Sequence, residues 1–130
     1  MAVLDASAAV FVLTRRDGDS FRTELTEYGE LHCPHLIDIE YLSALRNLVR
    51  RDELTPDQAE VATLDFADLA ITRFPHTKLL PRIWQLRQWI TPYDATYVVL
   101  AELLEVPLIT ADLRLARAAK DLVEIKIFAA

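Results

Sequence analysis

Four carboxylates stand beside predicted turns or helix ends and could do chemistry together: Asp5, Glu40, Asp94 and Asp112. Asp5 and Asp112 each follow a short apolar run that is typical of a buried strand. Ligands of an open parallel sheet bind beyond the carboxyl ends of its strands, so both acids are expected to face that crevice. Because carboxylate oxygens are the ligands that hard divalent cations prefer, the pattern indicates a Mg²⁺ or Mn²⁺ site.

Each acid, taken alone, also has a structural explanation. Asp5 and Asp112 could cap the helices predicted to begin just after them, and Asp94 could complete a capping box with Thr91. Glu40 is the exception, because it lies at the margin of an apolar helical stripe, where burying an unpaired carboxylate is costly. Glu40 therefore needs a partner or a metal ion.

The elements that must position these acids begin with a strand and two helices. An apolar strand is predicted at residues 1–4 and a helix at residues 6–13, which places Asp5 at the corner between them. A second helix, residues 20–28, ends at Gly29, a residue typical of a left-handed helix stop.

A long helix that carries Glu40 is predicted next. We interpret residues 31–34 as a connector and expect the helix to run from Pro34 to about residue 51, with the proline in its first turn. Its apolar side chains share one face: Ile37, Tyr41, Ala44, Leu45, Leu48 and Val49. The opposite, solvated face carries Ser43, Arg46 and Arg50. Glu40 is therefore expected to be partly sheltered.

The rest of the chain alternates helices and apolar runs. Thr55-Pro56 and Thr91-Pro92 each combine an N-cap with a first-turn proline. Helices are predicted at residues 55–69, 79–89, 92–104 and 112–120, and strands at residues 71–74, 106–110 and 123–128. Strands separated by helices imply crossover connections and a parallel sheet covered on both faces. The predicted class is α/β with three layers.

Length and composition fit one soluble domain, residues 1–130, with 52% hydrophobic and 26% charged residues. The single cysteine, Cys33, has no partner for an intramolecular disulfide, which favours a cytoplasmic location. Asp5 interrupts the apolar N-terminus and no basic residue precedes it, so we expect neither a signal peptide nor a membrane span. The net charge of −6 argues against binding nucleic acid by bulk electrostatics, unless a cation neutralises the acids.

A divalent ion held by the four acids would suit hydrolysis of a phosphodiester. Such an ion polarises a phosphoryl oxygen, lowers the pKa of a bound water and neutralises the leaving oxygen. Without the ion the carboxylates repel one another, so we expect at least one raised pKa among them. This chemistry needs no histidine, and we assign no catalytic role to His32, His35 or His76.

Three short motifs, with Glu40 between the first two, follow one another at suitable spacing: Leu4-Asp5-Ala6-Ser7-Ala8, Tyr93-Asp94-Ala95-Thr96-Tyr97 and Thr110-Ala111-Asp112-Leu113-Arg114. In this order they resemble PIN-domain ribonucleases, and within that group the VapC toxins of toxin–antitoxin pairs. The resemblance runs nearly end to end. It implies a three-layer α/β/α PIN-like domain with a four- or five-stranded parallel sheet.

The same resemblance implies a Mg²⁺- or Mn²⁺-dependent endoribonuclease that forms a homodimer and is inhibited by a cognate antitoxin. Asp5, Glu40, Asp94 and Asp112 match the family's four acidic positions. We hypothesise that Asp5 and Asp94 make the main metal contacts, and that Glu40 and Asp112 complete the set and position the attacking water.

Other residues are expected to support the chemistry or bind RNA. Ser7 and Thr110 match small hydroxyl positions of the family. Thr110 would orient the acid two residues after it, and Ser7 would order a water or a phosphate. Arg114, Arg117 and Lys120 recur every three residues and could bind RNA phosphates, although a solvated helix face is the favoured interpretation.

Two other functions stay open at this point. A receiver-like phosphotransfer domain also has strand-end acids and Mg²⁺, but it needs paired acids after its first strand, and Asp5 has no acidic neighbour. A non-catalytic interaction module with a PIN fold is the second alternative, and the presence of all four acids argues against it. Trp89 falls away from the apolar stripe of its predicted helix, which would suit a dimer or antitoxin contact and equally well burial under a neighbouring loop.

Overall fold

A parallel sheet lies at the centre of the computed structural model, which describes residues 1–15 and 18–129. Its five strands within this part of the chain are β1 (Ala2–Leu4), β2 (Leu31–Pro34), β3 (Ile71–Phe74), β4 (Leu108–Thr110) and β5 (Ile125–Ile127), in the order β3-β2-β1-β4-β5. Strand β1 pairs with β4 with Val3 opposite Leu108 and Leu4 opposite Ile109. The carboxyl ends of these two central strands therefore lie side by side.

Helices cover the sheet in the described part of the chain: α1 (Ala6–Thr14), α2 (Gly18–Glu27), α3 (Ile37–Arg50), α4 (Pro56–Ala67), α5 (Leu80–Gln85), α6 (Pro92–Leu104) and α7 (Leu113–Ala119). Helix α1 packs against α2, α3 and α4, whereas α6 packs against α5 and across β1, β2 and β4. Among the described helices, none has the length and apolar character to cross a membrane. The predicted three-layer α/β/α class is confirmed, with five parallel strands.

Both predicted Thr-Pro helix starts are present. The Thr55 hydroxyl accepts a hydrogen bond from the Gln58 amide at 3.1 Å, and the Gln58 side chain accepts one from the Thr55 amide at 2.9 Å, which forms a capping box. At α6 the Thr91 hydroxyl accepts a hydrogen bond from the Asp94 amide at 3.2 Å. This cap fixes the first turn of α6 and with it the position of Asp94.

The interpretation of residues 31–34 as a connector is wrong. They form β2, which is buried throughout and pairs with β1 on one side and β3 on the other. Pro34 ends this strand, where its missing N–H costs little, and is not in the first turn of a helix. Helix α3 therefore begins at Ile37, after a turn whose His35 amide donates to the Phe74 carbonyl at 2.9 Å.

The predicted helix at residues 79–89 is shorter in the structure. A single 3-10 turn at Thr77–Leu79 leads into α5, which ends at Gln85 and is followed by turns. Trp89 lies in these turns with 69% of its surface exposed, and Trp84 on α5 is 63% exposed.

Side-chain contacts fix the neighbours of the central strands. The buried Cys33 thiol of β2 donates a hydrogen bond to the Leu4 carbonyl of β1 at 3.1 Å, and burial raises the pKa of Cys33 to about 12. Arg73 of β3 forms a two-pronged ion pair with Asp38 in the first turn of α3, at 2.8 Å and 2.7 Å. This ion pair holds the start of α3, the helix that carries Glu40, against the edge of the sheet.

Candidate active site

The four predicted acids line one cavity of about 520 Å³. Asp5 follows β1, Glu40 lies on α3, Asp94 is in the first turn of α6, and Asp112 follows β4 as the N-cap of α7. The parallel pairing of β1 and β4 brings the first and last of these together, and α3 and α6 provide the other two. The structure thus gathers all four acids at the carboxyl edge of the sheet.

A second cavity, of about 390 Å³, lies between α2 and α4. Four leucines line it together with polar side chains that include Asp68, and the Arg22 and Asp65 side chains of its lining pair with each other at 3.6 Å. It has two carboxylates, one of them paired with Arg22, whereas the first cavity has four.

Asp5 is the most deeply buried of the acids, with 4% of its surface exposed. It caps α1, as predicted: Oδ1 accepts hydrogen bonds from the Ala8 amide at 2.9 Å and the Ser7 hydroxyl at 2.7 Å. Oδ2 accepts a hydrogen bond from the Thr110 hydroxyl at 2.5 Å. Burial outweighs these three donors and raises the pKa of Asp5 to about 6, because desolvation disfavours the charged form.

Ser7 and Thr110 hold Asp5 and connect it to the loop that carries the next acid. Each hydroxyl directs its single proton at Asp5. As acceptors, Ser7 Oγ receives the Ala111 amide at 2.9 Å, and Thr110 Oγ1 receives the Asp112 amide at 3.0 Å. Thr110 therefore contacts Asp112 through its backbone, and both hydroxyls support the carboxylate of Asp5.

Asp94 is coupled electrostatically to the other three acids. It is half-buried, and burial is the main cause of its raised pKa, followed by repulsion from Asp112, while Arg114 lowers it. The charge of Asp94 in turn raises the pKa values of Asp5 and Glu40. The mutual repulsion expected of carboxylates in a metal-free cluster is therefore present.

Glu40 is half-buried, as predicted for a residue at the margin of the apolar stripe. Burial raises the pKa of Glu40, and the neighbouring hydroxyl of Tyr97 opposes this shift. Tyr97 lines the same cavity but had no role assigned from the sequence. Its position three residues after Asp94 on α6 is the signal that could have identified it, because residues so spaced share a helix face.

Helix α3 contributes a polar wall that sequence reasoning missed. Ser43 and Asn47 line the cavity, three and seven residues after Glu40, and so continue its helix face. Ser43 is exposed, as predicted, but it faces the cavity and not bulk solvent alone. At the rim, Ile39 and Tyr93 are 67% and 62% exposed and provide apolar surface beside the acids.

Asp112 also has the capping role expected of it. Its Oδ1 accepts hydrogen bonds from the amides of Arg114 at 2.9 Å and Leu115 at 3.3 Å, which ties one oxygen to the start of α7. The basic side chains of Arg114, Arg117 and Lys120 are exposed, as a solvated helix face requires.

The donor set of the cavity fits a hard divalent cation. It consists of carboxylates, and the pKa values of Asp5, Glu40 and Asp94 are raised by burial and repulsion, both of which a bound cation would counteract. Within residues 1–15 and 18–129, however, no three acidic, histidine or cysteine side chains are grouped closely enough to hold an ion. The oxygens of Asp5 and one oxygen of Asp112 are directed at protein donors instead.

Comparisons with known proteins agree with this fold. A sequence model of the PIN domain matches residues 2–121. Two relatives from Mycobacterium tuberculosis strain H37Rv are similar over most of their length. Ribonuclease VapC9 is 45% identical over 116 residues, 89% of either chain, and Ribonuclease VapC1 is 40% identical over 127 residues, 96% of either chain.

Among solved structures, PAE2754 from Pyrobaculum aerophilum is similar in fold, with a TM-score of 0.70 and 21% sequence identity. The match covers 95% of this chain and 82% of that one. The chain therefore belongs to the PIN-domain family and, within it, to the VapC group, as the short motifs of the sequence indicate.

Proposed function

We propose that this protein is a divalent-metal-dependent endoribonuclease, the toxin of a toxin–antitoxin pair. The observation that carries the proposal is the coupling of Asp94 to three other acids in one cavity at the carboxyl edge of the sheet. The two relatives at 45% and 40% identity are named ribonucleases, and the chain covers nearly all of their length. A shared reaction is the simplest account of that similarity.

Asp5, Glu40, Asp94 and Asp112 are the residues that would hold Mg²⁺ or Mn²⁺. When bound, such an ion supplies charge neutralisation at the phosphoryl group and a more acidic water. Asp5 would offer Oδ2, which accepts a single hydrogen bond, whereas Oδ1 already accepts two. Asp94 is suited because it is half-buried and close enough to Asp5 and Glu40 to raise their pKa values.

Glu40 and Asp112 would position the attacking water. Glu40 is half-buried on the wall of the cavity, and its carboxylate would accept a proton from that water. The water oxygen then bonds to phosphorus, the bond from phosphorus to the ribose oxygen breaks, and that oxygen takes a proton from solvent. Asp112 would act through its second oxygen, since Oδ1 caps α7.

The surface around the cavity supports RNA as the substrate. Arg114 is exposed, yet its charge reaches Asp94, so a phosphate bound to it would lie near the acids. Arg117 and Lys120 would continue this phosphate path. Tyr93 and Ile39 at the rim offer apolar surface on which unpaired bases can stack or pack.

A cognate antitoxin and a second copy of the chain are the proposed protein partners, in the cytoplasm. Exposed apolar side chains on neighbouring helices support an interface: Leu80 and Trp84 on α5, Trp89 after it, and Leu103 on α6. Helices α5 and α6 pack against each other, so these exposed side chains lie on neighbouring elements.

Cleavage of RNA by the purified protein tests the proposed function. We expect endonucleolytic products in Mg²⁺ or Mn²⁺ and none in EDTA, and we expect Asp94→Ala to be inactive in both. Full cleavage by Asp94→Ala in EDTA would refute the metal assignment. Absence of cleavage by the unmodified chain on every class of cellular RNA, with metal present and antitoxin absent, would refute the nuclease.

A further inference from the structure

Tyr97 is a buried tyrosine whose hydroxyl has no hydrogen-bond partner among the described residues. The residue is 1% exposed and Oη is inaccessible to solvent. Buried tyrosine hydroxyls usually find a partner, and leaving a buried polar group unpaired costs about 1–3 kcal/mol. Phenylalanine at this position would avoid that cost, so the hydroxyl of Tyr97 needs an explanation other than packing.

The location of this hydroxyl points to the acidic cavity. Tyr97 lies on α6 one turn after Asp94 and lines the cavity together with Glu40 of α3. The Tyr97 hydroxyl and the Glu40 carboxylate are close enough to influence each other's ionisation, although they do not meet the geometry of a hydrogen bond in this structure.

Tyr41 shows how the same fold treats a tyrosine that serves only packing. It is fully buried on α3, next to Glu40 in the sequence, and its hydroxyl donates to the Ala62 carbonyl at 2.8 Å. Its ring stacks on Phe66 with a centroid distance of 4.1 Å. The hydroxyl of Tyr41 therefore has a hydrogen-bond partner within the fold, whereas the hydroxyl of Tyr97 has none and belongs to a residue that lines the cavity.

We propose that Tyr97 is a positioning residue for Glu40. Its hydroxyl donates a hydrogen bond to the Glu40 carboxylate and thereby fixes which carboxylate oxygen faces Asp94 and the reacting groups. This role rests on the proposed function, in which Glu40 positions the attacking water. The carboxylates of Asp5 and Asp112 already accept hydrogen bonds from protein donors, whereas no such bond to the Glu40 carboxylate is among those described above.

A metal-free spectroscopic experiment tests the contact without reference to activity. The tyrosines are labelled with ¹³C at Cζ, and their signals are assigned with Tyr→Phe variants. Glu40→Gln is expected to shift the Tyr97 signal and to leave the Tyr41 signal in place, because only Tyr97 would lose a charged acceptor. An unmoved Tyr97 signal would overturn the proposal, even if the protein is an active ribonuclease.

Kinetics then test the consequence. Tyr97→Phe is expected to lower kcat by ~10–100-fold with little change in KM, the usual effect of removing a group that orients a metal-site residue. Its midpoint of thermal unfolding should equal or exceed that of the unmodified chain. Tyr41→Phe is the matched control: it should lose thermal stability, because the Ala62 carbonyl loses its donor, and keep kcat.

A double-variant cycle separates action through Glu40 from an independent effect. In the Glu40→Gln background, Tyr97→Phe should change kcat by less than twofold, and the two effects should be far from additive. Additive losses, or an unchanged kcat in Tyr97→Phe alone, would overturn the positioning role. If the unmodified chain fails to cleave RNA at all, the proposed function fails, and the ¹³C experiment still decides whether Tyr97 contacts Glu40.

Discussion

Thr110 donates a hydrogen bond to the carboxylate of Asp5 across 105 positions of sequence. The same hydroxyl oxygen accepts the amide of Asp112 at 3.0 Å, so one side chain connects the ends of the two central strands and two of the acids. The geometry of the acidic cavity therefore depends on a hydroxyl at the end of β4 as much as on the acids.

Replacing this hydroxyl should damage both stability and activity. Thr110→Val removes the hydrogen-bond partner of two groups, Oδ2 of Asp5 and the amide of Asp112, at a buried position. We expect a loss of about 1–3 kcal/mol in the free energy of unfolding and a clear fall in RNA cleavage. Urea denaturation and a cleavage assay measure the two effects. Thr110→Ser keeps the hydroxyl and should retain most of both, and a Thr110→Val protein equal to the unmodified chain would show that the bond is unimportant.

The raised pKa of Asp5 predicts a pH dependence of stability in the metal-free protein. In the fold the pKa is about 6, against an ordinary value of 3.8, so the folded state binds this proton more tightly than the unfolded chain does. The contribution of Asp5 therefore favours the fold below about pH 4, declines as the pH rises through the folded pKa, and stays lost above it.

Asp5→Asn should remove this dependence. At pH 8 in EDTA the variant no longer buries a charge, which favours its fold by up to about 3 kcal/mol. Its amide NH2 would face a hydroxyl that donates to the Asp5 carboxylate, which offsets part of that gain. Its free energy of unfolding should vary less between pH 4 and pH 7, as followed by denaturant titration at several pH values. Asp57→Asn, at an exposed acid on α4 outside the acidic cavity, is the control and should not be stabilised at pH 8. A steeper profile in Asp5→Asn would contradict the assignment of the raised pKa.

Much of the fold was accessible from local sequence signals. Thr55-Pro56 and Thr91-Pro92 predicted their helix starts because an N-cap and a first-turn proline act locally, and both caps are present. Strand β2 was not accessible in the same way. Its Leu31–Pro34 sequence has no β-branched residue, and it is a strand because β1 and β3 pair with it on both sides. Pro34 is ambiguous locally, since it suits both a strand end and a helix start.

The candidate site also has a part that local sequence signals predict and a part that depends on tertiary packing. The carboxylates could be assigned because strand ends and a misplaced acid on an apolar stripe are visible in a sequence. The orientation of the Thr110 hydroxyl towards Asp5, and the bond that joins Ser7 to the Ala111 amide, link positions over a hundred residues apart and could not be predicted. The unpaired hydroxyl of Tyr97 is likewise a property of packing, because a sequence shows a tyrosine but not whether its hydroxyl is satisfied.

Asp94 and Asp57 form a matched pair for testing the acidic cluster. Both lie in the first turn of a helix that begins with Thr-Pro, but only Asp94 is half-buried beside other acids. Asp57→Asn should lower the free energy of unfolding by about 0.3–1 kcal/mol, because it removes a negative charge that interacts favourably with the helix dipole. Asp94→Asn should cost less, or stabilise the metal-free protein, because it also relieves repulsion and burial of a charge.

The effect of a metal ion on thermal stability should also differ between the Asp94 and Asp57 variants. Added Mn²⁺ should raise the midpoint of thermal unfolding of the unmodified chain and of Asp57→Asn, since a ligand that binds only the fold stabilises it. The same addition should have little effect on Asp94→Asn. Equal stabilisation of all three proteins would exclude Asp94 from the metal site.

Salt dependence of RNA binding tests the basic face of α7. Reversing Arg114 and Arg117 to Glu should weaken binding to a non-cleavable RNA and reduce the slope of log affinity against log salt by about 1 for each phosphate that is no longer neutralised. Reversing Lys78 and Arg87 changes the net charge equally at exposed positions that do not line the cavity, and should alter the slope less. An identical slope in both double variants would remove α7 from the RNA path.

The buried thiol of Cys33 provides a natural probe of how the sheet opens. It is the only cysteine of the chain, it is bonded to the carbonyl of Leu4 one residue before Asp5, and its pKa near 12 keeps it protonated and unreactive in the closed fold. Modification by a thiol reagent therefore requires an opening of the packing around β2. The rate of labelling would measure transient local opening of the scaffold directly beneath the acids. A slower rate with a bound cation or RNA would show how far the ligand rigidifies the strands on which the chemistry depends.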